Sequence, residues 1–213
     1  MIASFSNNFI FLKTRKTAGT SVEIILSTWC SGGDLCAPIS RLDEVTRAEL
    51  GGHPSTAVFN GHRFFNHMPA STVRRLLPDL WNTAFKFTVE RHPYEKLVSR
   101  AYWNIARRGG EPQAEFAGEV DRVLTDRSMY IDRPIYMIDE KIVVDEVVMY
   151  DQVMERLGEL AVKFGKEMPP RIPRAKGQHR ADPRPASELL SEAQKERIRS
   201  EMHWEFAEFG FEP

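Results

Sequence analysis

The sequence predicts an α/β fold whose mainly parallel sheet is covered by helices on both faces. Three observations carry that expectation. Apolar, aromatic or β-branched runs at residues 9–12, 84–89 and 142–149 read as strands. Each is followed by a segment of helical periodicity, and strands alternating with helices build parallel sheets through crossover connections. The 213 residues, 42% hydrophobic and 28% charged, have an ordinary globular balance and suffice for a single domain over 1–213 with a real core.

In chain order, Phe9-Ile10-Phe11-Leu12 is an unbroken apolar run, as a strand buried on both faces requires. The polar loop Lys13 to Gly19 leads into Ser21-Val22-Glu23-Ile24-Ile25-Leu26, which reads as a helix. Residues 31–56 mix Gly, Pro, Ser and Asp without clear periodicity and read as loop with short helical pieces. Pro69 opens a helix through Arg75 and Leu77, because proline suits a first helical position. Phe85, Phe87 and Val89 share one face of the second strand. Pro93 starts another helix, with Val98, Ala101, Tyr102 and Ile105 as its apolar stripe.

Phe116, Val120 and Val123 mark a further helix. Ile142 to Met149 forms the third strand, polar only at Asp145 and Glu146. Asp151 is an N-cap candidate for a helix carrying Met154, Leu157, Ala161 and Phe164, which Gly165 closes. Five prolines among basic residues make 169–185 irregular. Ser191 and Gln194 have capping-box spacing, and Ile198, Met202 and Phe206 line the last helix.

A net charge of −1 offers no global attraction for nucleic acid or an anionic membrane, so any anion must be held locally. No run approaches the roughly 18 apolar residues of a spanning helix. Met1 to Leu12 lacks the basic start and apolar stretch of a signal peptide. Cys30 and Cys36, the only cysteines, make neither a disulfide framework nor a zinc site. These features predict a soluble, cytoplasmic protein with no metal.

The loop Lys16-Thr17-Ala18-Gly19-Thr20-Ser21 lies between a strand and a helix, a recurrent anion site. The helix start supplies N–H groups and partial positive charge, Lys16 a full charge, and Ala18 and Gly19 let the backbone approach closely. Thr17, Thr20 and Ser21 can donate hydroxyl protons. A triphosphate loop anchored on Lys16-Thr17 would need glycines where Ile10 and Arg15 stand. The shorter loop suits about one phosphate-like group. A plain strand-to-helix turn that happens to contain a lysine is the competing reading.

KTAGTS after an apolar strand resembles the 5′-phosphosulfate loop of sulfotransferases that use 3′-phosphoadenosine 5′-phosphosulfate (PAPS). Arg91-His92-Pro93-Tyr94-Glu95-Lys96-Leu97-Val98-Ser99 resembles the same enzymes' 3′-phosphate segment, R-x-P-x-x-[RK]-x-x-S. Asn66-His67-Met68-Pro69-Ala70 and Phe85-Lys86-Phe87-Thr88 are similar to the bacterial sulfotransferase family 2 pattern, which is related to heparan sulfate 2-O- and chondroitin 4-O-sulfotransferases. Lys176-Gly177…Arg180 and the closing Phe209-Gly210-Phe211 agree in outline, so the likeness covers nearly the whole chain. Lys96 stands where arginine is commoner, His92 where Asp or Asn is usual, and Tyr150-Asp151 replaces Tyr-Glu.

The resemblance implies a three-layer, P-loop-like fold and transfer of a sulfuryl group from PAPS to a hydroxyl, on a carbohydrate or glycan rather than a small phenol. It implies that Lys16 to Ser21 bind the donor's 5′ end and that Arg91 and Ser99 bind its 3′-phosphate. Lys16 would neutralise the departing oxygen, with adenosine 3′,5′-bisphosphate as the product and no metal required. A base is also needed, and two histidines compete for that role. His67 matches the bacterial His-x-Pro-Ala element, and His62 the Gly-His of the 2-O-sulfotransferases. Lys176 and Arg180 either close over the donor or form a solvated basic linker. Residues 31–60 and 107–140 would supply irregular loops on the acceptor side. Tyr102 and Trp103 could line the site, although aromatics at helical spacing more often serve a core. The other readings are a nucleotide or small-molecule kinase, and an inactive nucleotide-binding module.

Overall fold

The computed structural model describes residues 1–173 and 180–213. Its strands and helices begin with β1 (Ile2–Ser4), β2 (Phe9–Leu12), α1 (Gly19–Ser27), β3 (Leu35–Cys36) and α2 (Arg41–Glu49). A small hairpin, β4 (Val58–Phe59) with β5 (His62–Arg63), precedes α3 (Ala70–Leu76), α4 (Pro78–Thr83) and β6 (Phe85–Glu90). Then come α5 (Pro93–Arg108), α6 (Pro112–Leu124), α7 (Arg133–Tyr136), β7 (Met137–Ile138), β8 (Lys141–Ile142) and β9 (Glu146–Met149). The chain continues through α8 (Val153–Lys163), α9 (Ala186–Leu189), α10 (Glu192–Glu201) and α11 (His203–Phe209). Among the described residues, no helix is long and apolar enough to cross a membrane.

These elements group into two compact units. The first comprises residues 1–14, 18–90 and 133–175; the second comprises 15–17, 91–132 and 176–213. The first unit is α/β, with a five-stranded sheet in the order β3-β1-β2-β6-β9. The pairs β2–β6 and β6–β9 are parallel, while β1 runs antiparallel to both neighbours. Four strands therefore point one way and β1 the other, so the sheet is mixed but mostly parallel. Phe9, Phe11, Phe87 and Val89 face one apolar cluster with Val22, Ile25 and Leu26 of α1 and Leu157 and Leu160 of α8. Ile10 and Leu12, on the opposite face, are also fully buried. β2 is thus buried on both faces, as its unbroken apolar run required.

The second unit is helical. Tyr94, Leu97, Val98, Ala101 and Tyr102 of α5 pack with Val120 and Val123 of α6 and with Ile198 and Met202. The α5 stripe is the face buried. His92 caps α5 by accepting a hydrogen bond at Nδ1 from the Tyr94 amide (3.2 Å). The Ser191–Gln194 capping box is complete at the start of α10.

Several expectations need correction. β1 is a strand that three short residues do not announce. Its turn to β2 is held by Asp34, whose carboxylate accepts from the amides of Phe5 (2.7 Å) and Ser6 (3.0 Å). Residues 107–140 contain all of α6 with α7 and β7, so that stretch is not mainly irregular loop, whereas 31–60 is loop carrying β3, β4 and one longer helix, the nine-residue α2. α2 escapes periodicity because it docks through charge. Leu42 is 81% exposed, whereas Arg47 is buried, pairing Glu44 and donating to the Ala37 carbonyl.

The third strand is interrupted. β8 pairs only with β7, and β9 starts after Asp145, whose carboxylate accepts from the Lys86 amide (2.7 Å) at the edge of β6. Asp151 lies in a 3₁₀ turn, Tyr150–Gln152, and Gln152 rather than Asp151 stands at the start of α8. The last helix is two, broken at Met202 (φ −113°, ψ 24°), whose side chain is fully buried in the second unit's core.

Candidate functional site

β2 and β6 run parallel with Leu12 opposite Thr88, so the chain leaves both strands at the same edge of the sheet. Thr88 Oγ1 donates to the Leu12 carbonyl (2.6 Å), and Thr14 Oγ1 donates to the Val89 carbonyl. The root of the loop is thereby stitched to the neighbouring strand. Two residues of the loop adopt left-handed backbone, Lys16 (φ 61°) and Ala18 (φ 57°). That conformation crowds a β-carbon and costs of the order of 1 kcal/mol per residue. Ala18 is the N-cap of α1, and its carbonyl accepts the Val22 amide (3.1 Å). Gly19, Thr20 and Ser21 therefore make the first turn of a nine-residue helix, where amides point out of the helix end. Thr17, Gly19, Thr20 and Ser21 are all buried.

Gly19 has a packing reason. A β-carbon there would stand 2.7 Å from Lys13 Cγ. The Lys13 stem is not free to retreat, because its ammonium pairs with the fully buried Glu23 and approaches Asn66 Oδ1 (3.4 Å). Burial pushes the Glu23 carboxyl up, but Lys13 and the Met1 amino group outweigh it and hold it below the usual range.

The two candidate histidines differ sharply. His67, itself left-handed (φ 61°), places Nδ1 2.9 Å from the Lys13 carbonyl. A carbonyl only accepts, so Nδ1 carries the hydrogen in this contact. His62 lies on the β4–β5 hairpin and is exposed.

In the second unit, Arg91 Nη1 donates to the Lys16 carbonyl (3.4 Å) and Nη2 to Glu95 Oε2 (2.9 Å). Arg180 Nη1 reaches the same Glu95 oxygen (2.6 Å), and the Ala186 amide binds the other (3.0 Å). Burial raises the Glu95 carboxyl, yet Arg180, the Ala186 amide and Arg91 together lower it overall. Ser99 is half-buried on the second turn of α5. Lys176 lies outside the described residues.

Residues without a motif complete the cluster. Asp132, fully buried, accepts from the Arg15 amide (2.7 Å) and guanidinium and from Lys96 Nζ (2.9 Å). Lys16 Nζ, Arg100 and Arg107 each stand 5.4 Å from the centre of the Trp103 ring. Burial and the nearby Arg15 charge lower the Arg100 guanidinium from its ordinary value. Among the described residues, seven cations (Arg15, Lys16, Arg91, Lys96, Arg100, Arg107, Arg180) thus meet four carboxylates, Glu95, Asp126, Asp132 and Asp182. Arg107 also borders an open concavity of about 580 Å³ lined by Asn104, Arg108, Glu119 and Arg122. There Glu119 pairs with both Arg108 and Arg122.

Sequence reasoning missed Asp132, Arg15, Arg100 and the Lys13–Glu23 pair. Tyr102 belongs to the core, stacked on Phe116, whereas its neighbour Trp103 carries the cations. The one local signal was composition, since Arg91 to Arg108 hold five of the chain's Lys and Arg residues beside Trp103. No protein-family model, no curated protein and no solved structure matches the chain.

Proposed function

We propose that this chain is a sulfotransferase that moves the sulfuryl group of PAPS to an acceptor hydroxyl on a carbohydrate. The observation that carries the reading is the cationic surplus joined to the Lys16 loop. A protein of net charge −1 concentrates seven cations against four carboxylates there among the described residues, and Arg91 hydrogen-bonds the Lys16 backbone. A loop sized for one phosphate-like group, tied to a second cationic group, suits a nucleotide phosphorylated at both ends.

In this reading the loop from Lys16 through Thr17, Ala18, Gly19 and Thr20 to Ser21 holds the 5′-phosphosulfate. Arg91, with Ser99, takes the 3′-phosphate, and Arg180 adds charge through the shared Glu95. The acceptor hydroxyl gives its proton to His67 Nε2 as its oxygen attacks sulfur. The bond from sulfur to the bridging phosphate oxygen breaks, and that oxygen leaves with the electron pair as part of adenosine 3′,5′-bisphosphate. Lys16 neutralises the charge growing on it. Positioning and electrostatics supply most of the rate, as in phosphoryl transfer.

The test is a thermal shift of the whole protein. Adenosine 3′,5′-bisphosphate at about 100 times its Kd should raise Tm by about 5–10 °C, and Lys16→Ala or Arg91→Ala should abolish most of the rise. Stabilisation by ATP with Mg²⁺ but not by the bisphosphate would sink the reading.

A further inference from the structure

We propose that Asp132 is a positioning residue: its buried carboxylate fastens the Arg15–Thr17 arm of the loop to helix α5 and so fixes Lys16 for an anionic ligand. This deepens the proposed function and rests on it wherever a nucleotide is the probe.

The contacts are specific. Asp132 has no exposed surface, and Lys96, its partner on α5, is only 1% exposed. The carboxylate also takes the Arg15 guanidinium and, at 2.7 Å, the Arg15 backbone amide. The amide bond fixes the chain immediately before Lys16. On the other side of that residue, Arg91 donates to the Lys16 carbonyl. Lys16 sits in the left-handed region, which a β-carbon disfavours and which persists where the surroundings over-determine it. Asp132 and Arg91 are anchors on its two sides.

Charge alone does not explain Asp132. A carboxylate in a cationic cluster opposes the binding of an anion, so its electrostatic effect and its positioning effect have opposite signs. Asp132→Asn keeps size and removes charge. If only potential mattered, an anion would bind more tightly; if positioning dominates, it binds less tightly.

The experiment measures Kd for adenosine 3′,5′-bisphosphate by calorimetry, and backbone amide exchange, in wild type and Asp132→Asn. We expect about tenfold weaker binding, the loss typical of one charge-assisted hydrogen bond. We also expect at least tenfold faster exchange at the amides of residues 15–18, with exchange in the middle of α5 and α6 unchanged. Unchanged or tighter binding overturns the proposal, and so does unchanged loop exchange whatever the affinity does. Where Asp132→Asn fails to fold, the double variant Asp132→Asn with Lys96→Met decides by loop exchange alone, because Lys96 itself belongs to the cationic cluster. It removes both buried charges, leaves the net charge as it was, and follows the rule that a buried ion pair is replaceable by neutral groups. A wild-type protein that binds no bisphosphate refutes the proposed function, and loop exchange alone then decides the role of Asp132.

Discussion

Two histidines five positions apart illustrate how much a single contact decides. His62 and His67 both precede β6 and both fit a motif, so spacing leaves them level. The hydrogen bond from His67 Nδ1 to the Lys13 carbonyl separates them, because it fixes a ring orientation and a tautomer at the root of the loop. His62 sits exposed on a two-strand hairpin. With labelled donor and a glycan acceptor, His67→Ala should lose 10²-fold or more of turnover while His62→Ala keeps it, both still binding the bisphosphate. Full activity in His67→Ala would remove it as the base. Lys16 and Arg91 were legible because each follows a strand at a recognisable spacing. Asp132 was not, since its Arg15 partner lies 117 residues away and neither residue carries a motif.

At the scale of elements, the strands and helices read best were those packed by apolar periodicity. The α5 stripe and the β6 face are the examples. α2 and β1 escaped because Arg47 and Asp34 hold them through polar contacts to Ala37 and Phe5, which apolar periodicity does not register. The α5–α6 pair shows the same polar logic in a testable form. Glu119 accepts from Asn104 Nδ2 (2.6 Å), Arg108 Nη1 (2.8 Å) and Arg122 Nε (2.9 Å), with its side chain only 1% exposed. Burial pushes its carboxyl up, but the bonds from Arg122, Asn104 and Arg108 prevail and hold it at about 2. A folded value below the unfolded one stabilises the fold above the unfolded value, near 4.5, and the contribution is lost as pH falls toward 2. Urea midpoints measured from pH 7 to pH 2 should therefore fall more steeply for wild type below about pH 5 than for Glu119→Gln. Glu119→Gln should be the less stable of the two at pH 7. Parallel curves would show that Glu119 contributes no pH dependence.

The whole chain is organised discontinuously, which no local reading of the sequence reveals. Each unit is assembled from three separate stretches, and the chain passes from one to the other after residues 14, 17, 90, 132 and 175. Neither unit can therefore be completed by a contiguous piece of chain. A fragment of residues 1–132 tests this. It contains β1, β2, β3 and β6 but lacks β9 and α8, so β6 keeps an unpaired edge. It also loses Val148, Val153, Leu157 and Leu160 from the cluster against which Phe9, Phe11 and Phe87 are buried. Each such side chain is worth about 1.5–3 kcal/mol when fully buried, and four of them rival the roughly 5–15 kcal/mol by which whole domains are stable. An unpaired, apolar strand edge adds a route to aggregation. The fragment should therefore show no near-ultraviolet circular dichroism and no cooperative melt, and should bind a hydrophobic dye or precipitate. A sharp melting transition in residues 1–132 would mean that β9 and α8 cover a sheet already stable without them.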